Sequence, residues 1–132
     1  MAYIEWSDQL SVKVKEIDAQ HKQFIEILNK LHDGIFDIEI QKEVINELVE
    51  YATVHFETEE KYMIQFKFSG YEEHKKEHEE LTRETINIKN TFKRNKCLLS
   101  LAILDFLKDW LEKHLLDMDK KYVQCFNENE LH

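Results

Sequence analysis

A chain of 132 residues with no proline and only two glycines, Gly34 and Gly70, has very little material for tight turns. Sheet proteins need turn residues at every hairpin, so this composition selects a few long helices joined by few bends. The length sets one domain, large enough to bury a real core. Hydrophobic residues at 42% and charged residues at 34% describe a globular chain rather than a disordered one. The net charge of -9 argues against nucleic acid or an anionic membrane as partner. The longest apolar stretch, Leu98 to Leu107, is broken by Ser100 and Asp105 and is too short to span a bilayer. Met1 to Leu10 carries Glu5 and Asp8 and lacks the apolar centre of a signal peptide, so a cytoplasmic location is expected. Cys97 and Cys125 fall at opposite ends of the expected molecule, beyond disulfide reach.

Apolar residues alternating at steps of three and four mark the buried seam of a bundled helix. One seam runs Ile17, His21, Phe24, Leu28, Leu31, Ile35, Ile38 and a second Ile45, Leu48, Ala52, His55, Glu59, Tyr62, Phe66. The third runs Tyr71, His74, His78, Leu81, Thr85, Ile88, Phe92 and the fourth Leu104, Leu107, Leu111, His114, Met118. The expected fold is therefore all-α: an up-down-up-down antiparallel four-helix bundle, with helices over about 18–38, 41–66, 70–94 and 98–118. Residues 1–17 form an N-terminal arm, anchored on the bundle by Trp6. Asp18 is expected to N-cap the first helix, and Ser69 with Glu72 has capping-box spacing before the third. The first turn lies between Gly34 and Gln41, and the last near Arg94 to Lys96.

The seams are unusual in what they contain. Chance would place one or two of the seven histidines on them, yet they hold five, together with Glu59. Counted along antiparallel helices at about 1.5 Å per residue, all six side chains come to one level. Ionisable groups in a core are costly unless something pairs them, and a metal ion is the cheapest common partner for six. His55 with Glu59, and His74 with His78, are i,i+4 pairs that can each grip one centre. Imidazole with carboxylate suits iron, zinc, copper or manganese, and the donor number exceeds one octahedral ion. Two metals bridged by carboxylates is the economical arrangement. No cysteine lies near the level, which argues against structural zinc and iron–sulfur clusters.

Four segments carry a family resemblance: Ile17-Asp18-Ala19-Gln20-His21-Lys22, His55-Phe56-Glu57-Thr58-Glu59-Glu60 with Met63 after it, His74-Lys75-Lys76-Glu77-His78, and Trp110-Leu111-Glu112-Lys113-His114 continuing to Asp119-Lys120-Lys121-Tyr122. In this order and spacing the chain resembles the hemerythrin family, single-domain bacterial type, over nearly its whole length, so that 1–132 is expected to be one such domain. The resemblance implies a non-haem di-iron centre that binds dioxygen reversibly, for transport, storage or sensing. It implies that His74, His78 and His114 hold one iron, which is coordinatively full. His21 and His55 hold the other, which keeps an open position. Glu59 and Asp119 bridge the two ions together with an oxo or hydroxo group. Phe24, Phe56, Trp110 and Leu111, each within a turn of a ligand, are expected to wall the ligand pocket and keep it dry.

Asp119 follows from the family pattern, not from helix geometry. It stands five residues past His114, roughly 140° round an α-helix, whereas Asp117 faces His114's side better. Its use requires a distorted last turn such as a π bulge. Three positions depart from the family pattern: Phe68-Ser69 stands where many bacterial members have Tyr-Pro, and Lys13 where glycine is common. His32 lies about 16 Å along the axis from His21, too far to ligate. Glu57, Glu60, Glu77 and Glu79 are read as solvent-facing, and Tyr62 and Tyr122 as core residues with a hydrogen bond near the site. His132 has no assigned role. The competing functions are a di-iron oxidase, peroxidase or nitric-oxide-handling enzyme, and a di-zinc hydrolase. Oxygen-activating bundles are richer in carboxylate than this one, and a hydrolase needs a substrate cleft. A binding protein rather than an enzyme is therefore expected, as a monomer or weak homo-oligomer.

Overall fold

The computed structural model describes residues 3–95 and 100–132. Four long helices dominate it: α1 (Lys15–Asp33), α2 (Ile38–Gln65), α3 (Tyr71–Asn95) and α4 (Leu101–Lys113). A π-helical turn over His114–Met118 and a 3-10 turn over Asp119–Tyr122 lead into a short α5 (Val123–Glu128). The four long helices make the up-down-up-down bundle, with α1 packed on both α2 and α4, and α2 packed on α3. Among the described residues no helix is long and apolar enough to cross a membrane. Cys97 lies outside the described residues, as does Lys96 of the expected last turn; Arg94 and Asn95 are still helical.

Several helix ends differ from the sequence reading, each for a local reason. α1 starts at Lys15, with the extended Val14 as its cap residue, so Asp18 sits inside the first turn. Its carboxylate reaches back instead, accepting from the Val12 N–H at 2.8 Å and the Ser11 hydroxyl at 2.6 Å, and so ties the arm to the helix. α1 stops at Asp33 because Gly34 turns the chain against Ile40: a Cβ at Gly34 would lie 2.4 Å from Ile40 Cγ2. Asp37 then caps α2, its side chain accepting from the N–H groups of Glu39 and Ile40. Ile38 thereby belongs to α2 and is 39% exposed, not part of the α1 seam. α3 opens at Tyr71 with the His74 N–H bonded to the Gly70 carbonyl, so the Ser69–Glu72 pair stands one residue too early for a capping box.

α2 ends in a Schellman motif. The Phe68 N–H bonds to the Met63 carbonyl and the Lys67 N–H to Ile64, with Lys67 at φ 54°. Phe68 and Met63 belong to the same apolar cluster, which is the contact such a motif usually makes. The arm lies along the bundle. Ile4 exchanges two hydrogen bonds with the Asn29 side chain, at 2.8 and 2.9 Å, and Lys22 sits 5.0 Å over the Trp6 ring.

The core is divided in two. A long aliphatic cluster includes Leu28, Leu31, Leu48, Leu104 and Leu107, and a smaller one gathers Val12, Val14, Ile17, Met63, Tyr122 and Phe126. Each fully buried aliphatic side chain contributes about 1.5–3 kcal/mol of transfer free energy. Along α1 the order is Ile17, His21, Phe24, and along α2 it is Phe56, Glu59, Met63. The ionisable residues therefore lie between the two apolar clusters, sealed on both sides along the bundle axis.

Candidate metal centre

Seven ionisable side chains meet there, and all are at most 3% exposed: His21, His55, Glu59, His74, His78, His114 and Asp119. Helix repeats deliver six of them. Asp119 needs the π turn, in which its N–H donates to the His114 carbonyl five residues back. An i→i+5 bond widens the turn by one residue and brings the fifth side chain back towards the first. The result places Asp119 Oδ1 2.9 Å from the Nε2 atoms of both His74 and His114. Asp117 is exposed on the same turn.

Two overlapping donor sets emerge. Glu59, His74, His78, His114 and Asp119 offer ligand atoms within 4.8 Å of one another, and so do His21, His55 and Glu59. Glu59 belongs to both, with Oε1 3.1 Å from His55 Nε2 and 3.3 Å from His78 Nε2. Asp119 also reaches both, since its Oδ2 lies 3.2 Å from His21 Nε2.

Hydrogen bonds from outside orient the rings. His78 Nδ1 lies 3.0 Å from Glu60, His114 Nδ1 3.0 Å from Glu77, and His55 Nδ1 2.6 Å from Gln20 Oε1. A carboxylate only accepts, so Nδ1 of His78 and His114 carries the proton and Nε2 keeps its lone pair for the centre. The Gln20 amide nitrogen faces Thr58 Oγ1 at 3.3 Å, which leaves its oxygen to accept from His55. Glu60 and Glu77 are thus half-buried partners of site histidines rather than solvent-facing residues, and Gln20 is a third that sequence reasoning missed. The available signal was chemical: an imidazole that offers one nitrogen to a metal commonly donates the other to an acceptor, and these three residues flank the seams. Glu57 and Glu79 are exposed as expected.

The cluster is unbalanced without a cation. His74 and His78 each bring Nε2 to 3.2 Å from His114 Nε2, and two carboxylates share the same dry volume. On the inner side, His21 Nε2, Glu59 Oε1 and both Asp119 oxygens are buried with no hydrogen-bond partner. Such orphaned donors are what a metal would satisfy. The electrostatics agree. Burial would lower His114, yet Asp119 and Glu77 outweigh it and push its pKa up to about 10. Burial drives both Glu59 and Asp119 upward, and at Glu59 the charge of Asp119 adds to it, but the surrounding imidazoles hold both well below the usual carboxylate range. His55 is lowered by burial, against the pull of Glu59. Tyr122 is raised well above its ordinary value by burial and by Asp119 and Glu59; its hydroxyl donates to Glu59 Oε2. Tyr62, by contrast, bonds Glu16 at 2.8 Å near the surface, away from the site.

Aromatic rings close the sides. Phe56 stacks on His78 with centroids 3.9 Å apart, Trp110 stacks on His114 at 4.4 Å, and Phe24 stands edge-on to His55 at 6.5 Å. Phe24, Phe56 and Leu111 are buried, and Trp110 is half-buried. His32 is remote and stacks on Tyr3 at 4.3 Å. A surface cleft of about 410 Å³ between α2 and α3 has Phe56, Glu60 and His78 in its lining but none of His21, Glu59 or Asp119.

Comparison with known proteins agrees with this geometry. The family described as "Hemerythrin HHE cation binding domain" matches residues 12–126. The bacteriohemerythrin of Methylococcus capsulatus is 29% identical, covering 96% of this chain and 99% of its own. The bacteriohemerythrin of Pseudomonas aeruginosa (strain PAO1) is 34% identical over 95% of this chain and 82% of its own. The myohemerythrin of Sipunculus nudus is 32% identical over 89% and 88%. A crystal structure of wild-type hemerythrin superposes with a TM-score of 0.90 at 27% identity, covering 94% of this chain and 98% of that one. With the family match spanning most of its length, the chain belongs to the hemerythrin family.

Proposed function

We propose that this protein binds dioxygen reversibly at a non-haem di-iron centre held by His21, His55, Glu59, His74, His78, His114 and Asp119. The observation that carries the reading is the pair of unequal donor sets sharing Glu59, with Asp119 within reach of both. The set with His74, His78 and His114 has five protein donors; the set with His21 and His55 has fewer and leaves a position for a small ligand. When bound, the two irons would supply one electron each to dioxygen and the hydroxo bridge between them one proton, all recovered on release.

The protein's part is orientation and exclusion. Glu60, Glu77 and Gln20 hold three rings with Nε2 inward. Phe24, Phe56, Trp110 and Leu111 keep water from the pocket, and in a dry site separated charge is poorly stabilised, which favours release of neutral dioxygen over loss of a charged product. The cleft beside His78 has none of His21, Glu59 or Asp119 in its lining, which gives the substrate of a hydrolase no approach to those donors. Five histidines against two carboxylates leave less donation for high-valent iron than in oxidising bundles, so the enzyme reading is second. On this reading the protein acts in the cytoplasm as a monomer or weak homo-oligomer.

The test is metal analysis followed by a gas cycle. Iron at two per chain is expected, with a visible charge-transfer band that appears when the reduced protein meets air and fades on deoxygenation. Zinc in place of iron, or immediate oxidation with turnover of an added reductant, would remove the carrier reading.

A further inference from the structure

The hydrogen bonds behind the site histidines are not equivalent. In the five-donor set, two of three imidazoles have an anionic acceptor: Glu60 on His78 and Glu77 on His114, both at 3.0 Å. In the other set, His55 has a neutral amide, Gln20, at 2.6 Å. His21 and His74 have no partner at Nδ1. A carboxylate accepting from Nδ1–H draws the proton towards itself and makes Nε2 a stronger donor; an amide oxygen does so far less.

We propose that Glu60 and Glu77 are positioning residues that make the His74–His78–His114 set the more electron-rich half of the centre, while Gln20 keeps the His21–His55 half electron-poor. The inference rests on the di-iron reading above. A stronger donor set favours ferric over ferrous iron, so each one-electron reduction of a ferric ion in the carboxylate-backed half lies at lower potential than it would behind amides. Both carboxylates are part-buried, at 21% and 34% exposure, so solvent screens them incompletely. Acceptors behind ligating histidines typically change metal affinity 10–100-fold. A tenfold change in the ferric-to-ferrous preference corresponds to about 59 mV for a one-electron couple.

The experiment is a reductive titration of the iron-loaded full chain with dithionite and mediators, read by absorbance. Glu60→Gln and Glu77→Gln keep an acceptor of the same shape without its charge, and Gln20→Glu adds charge behind His55. Glu57→Gln serves as a control, since Glu57 is an exposed carboxylate of the same helix. The two glutamine variants are expected to raise a midpoint potential by roughly one to two tenfold steps, Gln20→Glu to lower one, and the control to stay within a small fraction of a step. Unmoved potentials in variants that hold two irons overturn the proposal. So does a shift of equal size in the control, or the same sign for Gln20→Glu and Glu60→Gln. Should Glu77→Gln not load iron, the opposite signs of the other two remain the criterion. A wild-type chain that takes up no iron refutes the di-iron reading instead, and the two failures are thereby distinct.

Discussion

The sharpest perturbation separates two aspartates that stand two residues apart. Asp119 is fully buried and lies 3.2 Å from His21, 2.9 Å from His74 and 2.9 Å from His114, while Asp117 is exposed. Asp119→Ala removes a donor shared between both sets, so no di-iron centre should assemble. It also strips the metal-free fold of the carboxylate that His114 leans on. Breaking a buried ion pair costs about 3–5 kcal/mol; the lower end applies here, because His114 can shed its proton. An unfolding entropy of about 0.28 kcal/mol/K follows from the usual per-residue value, so about 3 kcal/mol lowers Tm by about 11 °C. Asp117→Ala, as an exposed substitution, should stay within about 0.5 kcal/mol and keep both irons. Iron per chain by elemental analysis and melting of the metal-free forms by circular dichroism read both outcomes. Two irons retained by Asp119→Ala, or lost by Asp117→Ala, would refute the assignment and the role given to the π turn.

Two further outcomes follow from local structure. His114 has a folded pKa of about 10, above its ordinary value, so its contribution to the metal-free protein is fully present below about pH 6.5 and is lost as pH rises through 10. Urea midpoints of the metal-free chain should therefore fall between pH 6.5 and 10, and a flat profile would contradict the buried imidazolium. Lys67 holds a left-handed φ of 54° at the Schellman position where glycine is normally found. Lys67→Gly should stabilise the fold by about 1 kcal/mol in urea denaturation, and a loss of stability would show that the lysine side chain has another role.

The sequence disclosed the seams well because burial and helical period act together. Ile17, Phe24, Leu28, Leu31, Leu48, Ala52, Leu81, Leu104 and Leu111 are all buried where the spacing of three and four put them. Legibility failed at the ends. Asp18 looks like a cap because acids are common there, but its carboxylate serves the arm, whose path periodicity does not encode. Ile38 fits the α1 seam by spacing and is lost to it because Gly34 ends the helix first. Tyr62 shares its helix with Glu59, yet it turns outward to Glu16, a partner on another helix.

The site was harder to read than the fold because its two least periodic features matter most to the chemistry. Straight helices could deliver five imidazoles and one carboxylate to a level, but the second carboxylate must come from a turn that breaks the repeat. A π turn is disfavoured in isolation and persists where surrounding contacts compensate. Here Leu115 and Met118 are buried on the same turn that carries His114 and Asp119 inward. The apolar core therefore helps stabilise the distortion that completes the donor sets. The outer partners follow the same logic in reverse. Glu60 and Glu77 read as surface residues because acids flanking a seam usually are, and only the requirement that a buried imidazole satisfy its second nitrogen turns them inward. Hydrophobic pattern thus specifies where a centre of this kind lies, whereas hydrogen-bond satisfaction specifies how its ligands are tuned.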